Sequence, residues 1–204
     1  MKKVYTLMAL CLFGFSALVQ AQFVLGGNIG FTTGKTTDEP AGDEHKSTDL
    51  NLVPRLGYIF GNNWAGLEVG ISSSTHEDPA GREDKISLTT VAPFFRHNFV
   101  NNNNMGIWLE AQAGALFGKS ETDGDETAKI SGFGAGLRPG VIFYVGNHLS
   151  FEASFGRLGF TQSKWEDPDD SDINIKNTEF GLELNGTTFL FGANWTFGGG
   201  GGDD

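Results

Sequence analysis

Three arginines and three glutamates recur at a spacing that ionic chemistry can use. Arg55, Arg96 and Arg138 stand 41 and 42 residues apart, and Glu68, Glu110 and Glu152 stand 42 apart. Each Glu follows an Arg by 13 or 14 residues, and all six lie in apolar, strand-like settings such as VPRLG, FFRHN, WLEAQAG and SFEAS. A lone carboxylate buried in such a run is unfavourable by several kcal/mol, so each must face water or a partner. A short turn near the middle of each interval sets Arg and Glu almost opposite across a hairpin, about 5 Å apart at Cβ. The repeating unit is therefore a hairpin used three times. At similar heights the six groups form a belt, with Gln112, Asn28 and Ser154 near enough to add hydrogen bonds. The chemistry expected is mutual neutralisation in a packed polar interior, in preference to a gate or ion path.

Other reactive constellations are weaker. His45 and His76 fall in long polar segments and His97 and His148 beside short turns, so no nucleophile, base and orienting group converge, and no enzyme is expected. Asp167, Asp169, Asp170 and Asp172 are oxygen donors, but their spacing is not that of a calcium-binding EF-hand loop. No cofactor or metal is expected.

The elements that must hold the belt are strands. Segments with period-two character lie near 22–33, 48–60, 64–74, 85–100, 105–118, 129–145, 148–162 and 177–197, and no helix is needed. Short turns at 61–63, 101–104 and 146–147 alternate with long polar segments at 34–47, 75–84, 119–128 and 163–176. An up-and-down meander puts the short turns and both termini at one end and the long loops at the other. In the fifth strand Ile107, Leu109, Ala111, Ala113, Ala115 and Phe117 share one face, while Trp108, Glu110, Gln112 and Gly114 share the other. The continuous apolar face is opposed by one that is small or polar, the inverse of a soluble lipocalin-type barrel. The expected fold is all-β: an eight-stranded antiparallel up-and-down transmembrane β-barrel, with Arg and Glu inward. Pro54, Pro93 and Pro139 each delete a ladder donor, so a bulge or bend is expected at each.

The ends and the charge agree with export. Lys2 and Lys3, an apolar run from Val4 to Val19 and the VQAQ exit read as a signal peptide over 1–21 that takes Cys11, the only cysteine, with it. The barrel is expected over 22–197 and a flexible Gly-rich tail over 198–204. Of 14 basic and 25 acidic residues, loss of two lysines leaves 12 against 25, a net charge of −13 that argues against nucleic acid. Aromatics gather near both strand ends, with Tyr58, Phe60, Phe99, Trp195 and Phe197 at one and Phe31, Phe117, Phe133 and Phe160 at the other, as two interfacial girdles would. The long segments are acidic at their centres, yet Lys35, Lys46, Lys85, Lys119, Lys129, Lys164 and Lys176 stand at their stems, placed to grip anionic lipopolysaccharide.

Eight alternating strands, the leader, the inward charges and the closing FLFGANWTF resemble the small outer-membrane barrels of the outer membrane protein beta-barrel domain family, similar in architecture to the OmpA transmembrane domain and OmpX. The resemblance implies insertion in a Gram-negative outer membrane, with periplasmic termini and a lumen closed by charged pairs. It also implies that the alternating Phe189, Phe191, Trp195 and Phe197 form the signal read by the barrel-assembly machinery, here followed by GGGGGDD where such chains commonly stop. The function expected is structural and interactive, with outer-membrane lipid and lipopolysaccharide as partners and no extracellular ligand identified. The alternative is a small porin-like channel, which the low strand number opposes.

Overall fold

A computed structural model describes residues 22–38, 43–102, 104–168, 174–184 and 189–198. The leader, the tail beyond 198, and Asp169, Asp170 and Asp172 lie outside the described residues. Ten strand segments follow in order: β1 (Gln22–Asp38), β2 (Asp43–Phe60), β3 (Asn63–Glu77), β4 (Glu83–Asn101), β5 (Met105–Thr122), β6 (Asp125–Val145), β7 (Leu149–Ser154), β8 (Arg157–Glu166), β9 (Asn174–Glu183) and β10 (Leu190–Phe197). Each neighbouring pair is antiparallel, and β10 returns to β1 from Phe23↔Phe197 to Ile29↔Phe191, closing the sheet into a barrel. β7 with β8 and β9 with β10 are two strands, each interrupted once, so the barrel has eight.

Alternation decides what faces where. Along β4 from Ala92 to Asn98, inward Ala92, Phe94, Arg96 and Asn98 are buried, while outward Pro93 and Phe95 are exposed. The most buried residues include Arg55, Arg96, Glu110, Asn98, Asn194 and Ser154, whereas Leu25, Phe31, Leu56, Leu67, Phe117, Phe151 and Phe191 are among the exposed. Such a surface is stable only against hydrocarbon. The girdle aromatics Phe60, Phe99, Trp195 and Phe197 are exposed at one end of this band, and Phe31, Phe117 and Phe133 at the other.

Below the charged layer, at the short-turn end, Val24, Trp64, Phe94, Trp108 and Ile142 form a buried apolar cluster inside the barrel. Gly140 makes room for it: a Cβ there would lie 2.2 Å from Trp108 Cζ2. The turns beneath are tight, with Gly61 at φ 57° between Phe60 and its partner Asn63.

Three expectations change. The long polar segments are mostly strand: β1 and β2 pair as far as Asp38↔Asp43, and β5 and β6 meet at Thr122↔Asp125 around Asp123 and Gly124, whose φ of 52° and 91° suit a two-residue hairpin turn. Outside the membrane a strand needs no apolar face, so polar Thr- and Ser-containing runs extend the ladder unseen by an alternation test. The strands expected as continuous over 148–162 and 177–197 are broken. Finally, the register is continuous past Pro54 and Pro93, whose ladders skip pairs without a shift. Of the three prolines, only Pro139 has a bulge beside it, where Gly140↔Ser154 and Leu137↔Leu158 leave one extra residue in the partner at Phe155 and Gly156.

Candidate functional site

The six charged residues meet inside the barrel as one ring. Arg55 and Glu68, Arg96 and Glu110, and Glu110 and Arg138 are direct cross-strand partners, which points all of them inward. Arg96 donates to Glu110 Oε2 from Nε at 3.0 Å and Nη2 at 2.9 Å, and from Nη1 to Glu152 Oε2 at 2.6 Å. Arg55 donates to Glu152 Oε1 at 3.0 Å, Glu68 Oε2 at 3.3 Å and Asn28 Oδ1 at 2.7 Å. Arg138 donates to Glu68 Oε2 at 3.0 Å and to Glu110 Oε1. Asn194 completes the shell of Glu152 from Nδ2 at 3.0 Å.

One pairing differs from expectation. Arg138 does not stand opposite Glu152, because the third hairpin aligns Ile142 with Glu152. Glu152 instead reaches across the lumen to Arg55 and Arg96, while Arg138 is served by Glu68 and Glu110. Every carboxylate is thus shared between at least two guanidiniums, and three positive charges balance three negative ones. Gln112 lies on the wall above the ring, and Ser154 is buried without an Arg or Glu contact to its hydroxyl.

Aromatic rings press the belt from below. The Arg96 guanidinium lies 3.7 Å from the Trp108 ring centroid and 4.8 Å from that of Trp64, and Arg55 lies 5.3 Å from Phe94. These cation–π contacts add to the ion pairs where water is excluded. Inward aromatics two residues before Glu110 and four before Glu68 were legible on the polar face as residue types, but their joint role as a plug depends on register. A cavity of about 310 Å³ lies above the belt, reaching Glu68 and Arg138, and another of about 310 Å³ lies at the short-turn end, reaching Trp64 and Tyr144; they share no lining residue.

The stem lysines share the outward face in cross-strand doublets: Lys35↔Lys46, Lys119↔Lys129 and Lys164↔Lys176, while Lys85 stands opposite Glu121. Four carry acidic partners: Lys35 with Glu44 at 2.6 Å, Lys46 with Glu77 at 3.0 Å, Lys119 with Glu121 at 2.8 Å and Lys164 with Glu166 at 2.5 Å. The hydrogen bond from Lys35 holds the Glu44 carboxyl below its ordinary range, and that between Lys119 and Glu121 lowers the carboxyl and raises the ammonium. Phe189, Phe191, Trp195 and Phe197 all face outward and exposed on or beside the strand that closes the barrel, with Trp195 stacked on His148 at 5.7 Å. His97 bonds Asn63 at 2.9 Å and His148 the Thr196 carbonyl at 2.9 Å, so each has a structural partner. Among the described residues, no group of three His, Cys, Asp or Glu side chains is arranged to hold a metal ion.

Comparison with protein-family models agrees with this architecture. The sequence model of the outer membrane protein beta-barrel domain matches residues 6–197. Solved structures with a similar course include Neisserial surface protein A (14% identity, 87% of this chain and 99% of that one, TM-score 0.46). Others are Ail of Yersinia pestis, solved with the heparin analogue sucrose octasulfate (14%, 87% and 98%, 0.41), and a major outer membrane protein of Thermus thermophilus (12%, 87% and 99%, 0.43). No curated protein sequence matches.

Proposed function

The chain belongs to the outer membrane protein beta-barrel domain family, and from that membership we propose a non-enzymatic, non-conducting barrel that serves the bacterial envelope as a structural and interaction element. Residues 1–21 direct export and 22–197 form the barrel. The termini face the periplasm, and the long hairpin extensions stand outside the cell.

The observation that carries this reading is the belt. Among the described residues, a ring of six buried, mutually neutralised charges, backed by two tryptophans, lies between an upper and a lower cavity that share no lining residue, which favours a closed lumen. A channel would require several buried ion pairs to part together, each break being strongly unfavourable. In planar bilayers the wild-type protein is expected to give no stable openings. Openings abolished by Glu110→Gln or Arg96→Gln would establish the porin-like alternative instead.

The outward lysines grip lipopolysaccharide. Like charges directly opposite on neighbouring strands repel, and three such doublets lie two to four residues, up to about 13 Å along the strand, beyond the last apolar residues such as Phe31 and Phe117. In each doublet at least one ammonium already holds a rim carboxylate, and phosphates of outer-leaflet lipid at that height add further anionic partners. Phe189, Phe191, Trp195 and Phe197 serve the assembly machinery before they meet lipid.

A further inference from the structure

Two short stretches of the outer rim repeat each other. The sequence KIS stands at 85–87 on β4 and again at 129–131 on β6, and each copy faces a Lys-x-Glu stretch on the next strand, KSE at 119–121 on β5 and KWE at 164–166 on β8. The register matches as well. Lys85 is opposite Glu121 and Ser87 opposite Lys119, while Lys129 is opposite Glu166 and Ser131 opposite Lys164. Each set is a two-by-two quartet of two lysines, a glutamate and a serine. Both quartets face outward, since Ile130 between Lys129 and Ser131 is buried and Phe117, two residues from Lys119, is exposed.

In each quartet the carboxylate is seated between two ammoniums. Glu121 accepts from Lys119 at 2.8 Å and has Lys85 across the ladder; the bond from Lys119, with the charges of both lysines, holds its carboxyl below the ordinary range. Glu166 accepts from Lys164 at 2.5 Å and has Lys129 across the ladder. An anion is already the occupant of both places. A phosphomonoester carries more charge and a third acceptor oxygen, so it competes for the same donors.

The placement of the quartets is regular too. Lys119, Lys129 and Glu166 share one rung, two residues below Glu121, so the two carboxylates are two strand spacings and two residues apart, about 12 Å. From Lys85 to Lys164 the four lysines descend four residues over three strand spacings, an incline of about 43° to the rungs. Strands of such barrels tilt by about 35–45°, so this line of ammoniums runs level with the membrane surface. The apolar border falls in the same direction, from Phe117 on β5 to Phe133 on β6, which pairs with Ala115.

We propose that the two quartets are paired phosphate sites that hold one bisphosphorylated lipid A headgroup lying along the rim. Each phosphate displaces Glu121 or Glu166 and bonds the flanking lysines and serine. The headgroup is a disaccharide with a phosphate at each end, which suits two sites at this spacing and height, and its acyl chains descend over Phe117 and Phe133. The site rests on the lipopolysaccharide reading above and narrows that contact to two places and one molecule.

The test uses the full mature barrel in detergent micelles at low salt, with bisphosphoryl lipid A as probe and monophosphoryl lipid A as its comparison. Wild type is expected to bind the bisphosphoryl form about tenfold or more tightly, as a second set of charge-assisted contacts implies. Lys85→Gln with Lys119→Gln, or Lys129→Gln with Lys164→Gln, is expected to erase that difference, whereas Lys35→Gln with Lys46→Gln, outside both quartets, preserves it. Glu121→Gln with Glu166→Gln removes the competing carboxylates and is expected to tighten binding severalfold, a gain that a misfolded variant would not give. Equal binding of the two lipids by wild type, a difference that survives either quartet variant, or weaker binding in the Glu variant would each overturn the paired sites alone. Wild type that binds neither lipid A would take the lipopolysaccharide reading down with them.

Discussion

Replacing Glu110 with glutamine removes one negative charge from a ring in which that carboxylate accepts from Arg96 at 2.9 and 3.0 Å, accepts from Arg138 and lies 3.5 Å from Arg55. Shape is nearly conserved, so the cost is electrostatic. The lumen is left with one uncompensated guanidinium charge at a side chain that is fully buried. Leaving a buried charge without its partner typically destabilises by about 3–5 kcal/mol. Equilibrium unfolding of the refolded barrel in lipid vesicles, followed by tryptophan fluorescence, measures the loss. Trp108 and Trp64 flank Arg96 and report the same layer. Adding Arg96→Gln to Glu110→Gln restores neutrality, and the double variant is expected to be more stable than the sum of the singles by about 2 kcal/mol. A loss under about 1 kcal/mol in Glu110→Gln, the range of solvated surface pairs, or simple additivity in the double variant would refute a dry, coupled belt.

Gly140→Ala drives a methyl group into the Trp108 ring and is expected to destabilise the barrel by about 1–3 kcal/mol through overpacking, seen in the same unfolding assay. Lys119→Gln with Lys129→Gln removes one outward doublet and is expected to reduce the gain in thermal stability on adding lipopolysaccharide, read by heated-gel mobility, while leaving stability in plain detergent unchanged. The rim pair Lys119–Glu121 gives a pH test. Glu121, with its carboxyl lowered, stabilises the folded hairpin above the ordinary carboxylate range and loses that effect as pH falls through its lowered value. Lys119, raised, contributes below the ordinary lysine range and loses it as pH rises through its higher value. NMR titration of Glu121 is expected to move to the ordinary carboxylate range in Lys119→Ala, with little change in melting because both side chains are solvated.

Much of the architecture can be read from a period of two and a period of about 42. Alternation around Glu110 distinguishes the lipid face from the lumen because both environments demand uniformity along a strand. Where neither face meets hydrocarbon the rule has nothing to detect, so the hairpin extensions beyond Lys35 and Lys119 read as loops. The Arg and Glu repeat locates all six belt residues but not their partners. Side chains this long reach across the lumen, and the third hairpin carries its Glu four rungs from the rung of Arg138, so Glu152 joins Arg55 and Arg96. The role of Trp64 and Trp108 beneath the arginines needs the curvature that brings nonadjacent strands together.

Outward apolar and inward ionic faces are the premise beneath the belt and the lysine doublets. Cys11 is the only cysteine in the sequence, so in a chain lacking it single cysteines at positions 109 to 113 of β5, each carrying an environment-sensitive fluorophore in vesicles of brominated lipid, test that premise directly. Labels at 109, 111 and 113 are expected to be quenched by the lipid, and a label at 112 to be spared. Uniform quenching, or quenching at 112 alone, would contradict the inside-out barrel.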